Sequence, residues 1–129
     1  MKTYNLKKIG SLLYTTGAAK GKGGIVNFAL LADTGSTYTI LPWEHLSSIG
    51  LESLMAEGET RITTASGIVI APQFKVEWFS CCGLLLDSFP VVAHTLPDQM
   101  SRFGILGMDY LRRAKAKIDI FNAQVKVEE

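Results

Sequence analysis

Residues 30–42 read LLADTGSTYTILP, which sets a carboxylate, Asp33, on a bend between two runs that both read as buried strands. Few folds accept that. The apolar runs must lie in a core while Thr34, Gly35 and Ser36 make a tight loop between them. Gly35 supplies backbone freedom and lets a neighbouring chain segment come close. The hydroxyls of Thr34 and Ser36 can bond to backbone or to the carboxylate. A surface aspartate needs none of this. An aspartate fixed on an apolar floor is placed for acid–base chemistry.

The rest of the chain supplies strands to enclose such a loop. "SLLYTT" and "IVNFALLA" are apolar runs, and "GAAKGKGG" between them reads as a glycine-rich turn. "TYTILP" alternates and is β-branched. "RITTASGIVIAPQFKVEWF" predicts a long hairpin around Ala65, Ser66 and Gly67. "GLLLDSFPVVAHTL" adds one or two strands, and "KIDIF" and "QVKVEE" flank a turn at Asn122 and Ala123. Helix signals are short. "LPWEHLSSIG" has Pro42 near a first-turn position and Gly50 as a stop. "GMDYLRRAKAK" opens on Asp109, a cap or first-turn acid, and ends on basic residues, as the helix dipole favours. With 129 residues, 47% of them apolar, the chain suits a single mainly β domain spanning residues 1–129, with one or two short helices.

Several function classes find no support. A formal net charge of +1 gives no reason to expect nucleic acid or an anionic membrane as partner. The cluster of Arg112, Arg113, Lys115 and Lys117 reads as a solvated helix face. The only cysteines, Cys81 and Cys82, are adjacent. Strand neighbours point to opposite faces, so a disulfide between them would be strained, and one or both read as small buried apolar residues, which fits a reducing compartment. His45 and His94 stand in no metal-ligand spacing, so no metal and no cofactor are expected. "GAAKGKGG" has the wrong spacing for a phosphate loop and leads into a strand. The opening "IGSLLYTTGAA" is short for a signal segment and broken by Ser11, Thr15 and Thr16, and no run approaches the ~20 apolar residues that span a bilayer. A cytoplasmic protein is the expectation.

Downstream, "FGILGMDYL" supplies a second apolar-apolar-glycine element, Ile105-Leu106-Gly107, followed by the short helix. With the Asp33 loop first, the glycine hairpin "TTASGIVI" next and this element last, the chain resembles the retropepsin-like aspartic proteases, single-domain relatives of pepsin, from about Ile25 to about Phe121. The resemblance implies a closed β-barrel with a flap hairpin. It implies catalysis at Asp33, framed by Thr34, Gly35 and Ser36, with the Ser36 hydroxyl beside the carboxylate. Flap residues Ser66, Gly67 and Ile68 and floor residues Ile105 and Leu106 would meet an extended protein or peptide substrate. For Ile68, Ile70, Ile105 and Leu106, ordinary core packing is an equally good reading. Many retroviral relatives carry an arginine where Met108 stands, paired with an aspartate where Thr37 stands, and both are absent together here.

The chemistry of that family needs two carboxylates about one water, sharing a proton because like charges at close range do not both ionise. This chain has one Asp-Thr-Gly; Asp87, Asp98, Asp109 and Asp119 lack that setting. The second carboxylate must therefore come from a second copy, which implies a homodimer with its site on the two-fold axis. The terminal segments "MKTYNL" and "QVKVEE" are candidates for interleaving there. Two other readings stand beside this one: a turn aspartate without catalysis, and a retropepsin-fold dimerising or peptide-binding module that hydrolyses little.

Overall fold

Strands form wherever the sequence alternates or runs apolar. The computed structural model, which describes residues 1–64 and 67–128, contains eleven strands and two short helices among those residues. Strands β1 (Lys2–Asn5) and β2 (Lys7–Ile9) lead into a long hairpin of β3 (Leu12–Gly21) and β4 (Gly24–Ala32). The two-residue β5 (Ile40–Leu41) and helix α1 (Trp43–Ser48) follow. A second hairpin pairs β6 (Gly58–Thr64) with β7 (Gly67–Cys81), which turns back as β8 (Leu84–Ala93). The chain closes with β9 (Phe103–Leu106), α2 (Met108–Arg113), β10 (Lys117–Asp119) and β11 (Gln124–Val127). None of the helices is long and apolar enough to cross a membrane, among the described residues.

The main sheet runs β2-β3-β4-β9-β5-β8-β7-β6, and β3 also pairs with β7. That extra pairing brings the sheet round on itself, so β3, β4, β9, β5, β8 and β7 form a closed ring and β6 continues outward as half of the flap-like hairpin. The interior packs aliphatic side chains around a group of rings. Phe79 packs against Phe89 at 5.1 Å and Tyr110 at 5.3 Å, and stacks on Phe28 at 5.8 Å. All four are buried. Such pairs contribute about 0.5–1.5 kcal/mol each beyond the area they bury. The Tyr110 hydroxyl donates to the carbonyls of Cys81 and Leu84, tying α2 to the β7–β8 turn.

The structure departs from the sequence reading in three places. The segment "GAAKGKGG" is mostly strand, since Gly17 to Gly21 lie in β3 and only Lys22 and Gly23 turn. Its glycines serve close approach: a Cβ on Gly17 would stand 2.8 Å from the Leu30 side chain, and one on Gly21 would stand 2.5 Å from the Ile49 carbonyl oxygen. In "TYTILP" only Ile40 and Leu41 are strand, because the residues before them bond to the start of α2. Cys82 lies in the β7–β8 turn rather than on a strand. The terminal segments, candidates for interleaving with a second copy, pair with each other within the chain, Lys2 opposite Val127, in a separate sheet ordered β1-β11-β10.

Candidate active site

Asp33 follows the last residue of β4, where the parallel neighbour β9 also ends. Leu31 lies opposite Ile105 and Ala32 opposite Leu106, and the Asp33 N–H donates to the Leu106 carbonyl at 3.1 Å. Of the two apolar runs that flank Asp33 in the sequence, the first is β4; its partner here is β9, from the later Ile105-Leu106-Gly107 element, and the second run supplies only the short β5. Beyond β4 the loop closes on itself. The Gly35 N–H donates to Asp33 Oδ1 at 2.8 Å, and the Ser36 N–H donates to the Asp33 carbonyl at 3.2 Å. One carboxylate oxygen is anchored, and Oδ2 has no hydrogen-bond partner among the described residues. Asp33 is half-buried, and Thr34 and Gly35 are exposed.

Ser36 is a correction to the expected site. Its hydroxyl donates to the Tyr38 carbonyl at 2.8 Å, two residues along the loop, and not to the Asp33 carboxylate. A serine this close to a free carbonyl satisfies the turn it sits in. Ser36→Ala should therefore cost about 0.5–1.5 kcal/mol of stability, the usual worth of one hydrogen bond. The pH profile of kcat/KM should keep its position. A profile displaced towards higher pH would return the hydroxyl to the carboxylate.

A second layer, not foreseen from the sequence, holds the loop from behind. The Met108 N–H donates to the Ser36 carbonyl at 2.8 Å, and the Asp109 N–H donates to the Thr37 carbonyl at 3.2 Å. Backbone contacts thus tie together the two segments, around Thr37 and around Met108, on which many retroviral relatives place a charged pair. The Asp109 carboxylate then accepts three bonds: Thr39 N–H at 3.0 Å, Thr39 hydroxyl at 2.7 Å and Tyr110 N–H at 2.8 Å. Thr39 is fully buried, and its oxygen accepts from the Gly107 N–H at 3.2 Å. Asp109 is therefore a first-turn acid, with Gly107 at the N-cap position, and its carboxylate clamps the far arm of the Asp33 loop. Thr39 and Asp109 are 70 residues apart, so no local spacing announces the contact; a threonine in an apolar run was the only hint.

Of the expected substrate-facing residues, Ser66 lies outside the described residues, as does Ala65. Gly67 opens β7 opposite Thr64. Ile68 and Ile70 stand two apart on one face of β7 and are 58% and 61% exposed. These apolar side chains on a hairpin arm have no core to fill. Ile105 is half-buried. Leu106 is 2% exposed and belongs to the core, so of its two readings the packing one describes it. The flap base and the loop floor meet in a small cluster of Ile40, Ala71 and Val92, against which Ile62 and Ile105 pack.

A groove of about 350 Å³ opens beside the loop, lined by Thr34, Met108, Leu111, Arg112, Ile118 and Ile120 among others. On its rim the β10–β11 turn presents Ile120, 75% exposed, and Phe121, 91% exposed. Among the described residues no three of His, Cys, Asp and Glu are grouped so as to hold a metal ion. His45 contacts the Arg102 carbonyl at 3.2 Å and packs beside Phe28.

A profile of the family described as aspartyl protease matches residues 19–110. Solved structures of similar fold include a retropepsin-like aspartic protease from Rickettsia conorii, with a TM-score of 0.69 at 16% identity, covering 96% of this chain and 88% of that one. They also include EIAV protease complexed with the inhibitor HBY-793, with a TM-score of 0.63 at 21% identity, covering 90% of this chain and 97% of that one. No curated protein matches the sequence. The mainly β fold with two short helices is retropepsin-like.

Proposed function

The chain belongs to the aspartyl protease family, and we propose on that premise that it is an endopeptidase acting as a homodimer, with Asp33 of each copy facing one water. The observation that carries this reading is the loop itself: one carboxylate, at the end of two packed strands, with Oδ1 tied to the Gly35 N–H and Oδ2 left open. Only one such loop exists per chain, so the second acid is supplied by symmetry.

The reaction then needs only the two carboxylates and water. The ionised Asp33 takes a proton from water as its oxygen attacks the scissile carbonyl carbon. The protonated Asp33 of the other copy gives its proton to the carbonyl oxygen. The newly protonated Asp33 then gives its proton to the amide nitrogen while the other Asp33 takes one back from a hydroxyl of the gem-diol; the C–N bond breaks, a carboxylic acid and an amine leave, and one carboxylate is again ionised and one protonated. The Gly35 N–H keeps the acid's orientation fixed throughout, which is how such a site supplies positioning.

The substrate lies extended between the hairpin arm, with Gly67, Ile68 and Ile70, and the floor at Ile105. Backbone pairing supplies affinity and the isoleucines choose apolar side chains. The dimer reading draws support from the surface beside Thr34. The groove and the exposed Ile120 and Phe121 together leave apolar area in water next to the loop, as an unpartnered interface does.

Purified protein should cleave a mixed peptide library, a pepstatin-type inhibitor should stop it, and specific activity should fall on dilution as dimers separate. Specific activity that holds constant while sedimentation shows monomers contradicts the shared site. A stable dimer that cleaves nothing in the library would instead mark a binding module.

A further inference from the structure

Cleavage at Asp33 leaves Cys81 and Cys82 without a role. Cys81 ends β7, and Cys82 with Gly83 makes the two-residue turn into β8, at φ +48° and +74°. Successive positive φ values define the hairpin turn in which Asn, Asp or Gly is the usual first residue. A side chain such as cysteine there costs about 1–2 kcal/mol of backbone energy. The left-handed step has one consequence. Strand neighbours point to opposite faces, but this turn swings Cys82 back, and the two sulfurs stand 3.6 Å apart. Both residues line a surface cleft of about 460 Å³ with Thr16, Asn27 and Ser80.

Paired thiols can close into a disulfide or clamp a common atom, and distances decide between the two. A disulfide needs sulfurs at about 2.05 Å and Cα atoms at least about 4.4 Å apart, whereas neighbours across a trans peptide are held at about 3.8 Å. An ion with tetrahedral bonds of about 2.3 Å to sulfur holds its two sulfurs about 3.8 Å apart. The observed separation, that of a hydrogen bond between two free thiols, needs little change to reach the second figure and a large one to reach the first.

We propose that Cys81 and Cys82 form a two-sulfur site for a soft divalent cation of the zinc and cadmium kind. Two S–H bonds break, two metal–sulfur bonds form, and two protons leave to solvent, with no electron transferred. The product is neutral, which suits a buried pair. The Thr16 carbonyl lies 3.6 Å from the Cys81 sulfur, and it and water from the cleft fill the remaining positions. With no third His, Cys, Asp or Glu grouped there among the described residues, the donor set selects against hard cations such as calcium and magnesium. The ion braces the same turn whose Cys81 and Leu84 carbonyls anchor Tyr110.

The test titrates reduced protein with cadmium, following thiolate-to-metal absorption, proton release and the thermal midpoint. Wild type should take one ion per chain, release about two protons and melt higher with the ion present. Cys82→Asn suits the left-handed turn and so should fold. Loss of even a group that hydrogen-bonds a ligand weakens metal binding by about 10-fold or more, so Cys82→Asn and Cys81→Ser should each lose at least that. Wild type that binds no cadmium while folded and reduced, or Cys82→Asn that binds as tightly as wild type, overturns the proposal.

Discussion

Asp33→Asn should fold, dimerise and cleave nothing above background. The amide has the size of the carboxylate, and its oxygen still accepts from the Gly35 N–H that holds Asp33 Oδ1 at 2.8 Å. The backbone bonds around it, Asp33 N–H to Leu106 and Ser36 N–H to Asp33, do not involve the side chain. What disappears is the ability to take a proton from water, and with both copies changed no acid or base remains at the site. Loss of positioned proton transfer alone costs about 10²–10⁴-fold, and here both partners of the transfer go together, so peptidase assays should read at the upper end or beyond. Circular dichroism and sedimentation should match wild type. Cleavage by this variant at a tenth of the wild-type rate would place the acid elsewhere.

Gly107→Ala should damage the fold and the site at once. At φ −93° the glycine needs no special backbone conformation; it needs room. An added Cβ would stand 2.3 Å from the Tyr38 carbonyl oxygen, 2.4 Å from its carbon and 2.9 Å from the Thr39 nitrogen. All three are backbone atoms, with no side chain to swing aside. The Asp33 loop and the start of α2 must move apart, which stretches the bonds from Met108 to Ser36, from Asp109 to Thr37 and between Asp109 and Thr39. Overpacking costs about 1–3 kcal/mol, and each buried polar group left without its partner costs about 1–3 kcal/mol more. A loss above ~3 kcal/mol is a large part of the ~5–15 kcal/mol that holds a domain together, and should lower the melting midpoint by about 10 °C or more. Gly58→Ala is the control, since nothing lies within 4 Å of a Cβ added there. If Gly107→Ala melts and cleaves like the control, the two segments do not cross as described.

The parts of this structure legible in the sequence are those set by local pattern. The run NFALLA reads as a strand ending at Asp33 and belongs to β4, and Ile105-Leu106-Gly107 reads as a second apolar element and lies at the end of β9; that the two pair in parallel is seen only in the structure. The hairpin of β6 and β7 follows from β-branched residues on both sides of a glycine. What local pattern does not carry is the choice among partners in space. Glycine marks both a turn and a close contact, and at Gly17 and Gly21 the second applies. Ser36 can donate to the Asp33 carboxylate or to the Tyr38 carbonyl, and only the path of the loop selects the latter. Asp109 was legible as a first-turn acid, yet its bond to Thr39 depends on two segments crossing in the folded chain. The convergence of Cys81 and Cys82 depends on the sign of one backbone angle.

The central claim is that two chains build one active site, and mixing tests it most directly. Wild type and Asp33→Asn are combined in equal amounts, unfolded and refolded together, and assayed at fixed total chain concentration well above the dimer dissociation constant. Random pairing puts two intact acids in only about a quarter of the dimers. If each site needs both copies of Asp33, activity should fall to about a quarter of that of pure wild type. Activity of about a half, the share of wild-type chains present, would show that each chain works alone and would contradict the account.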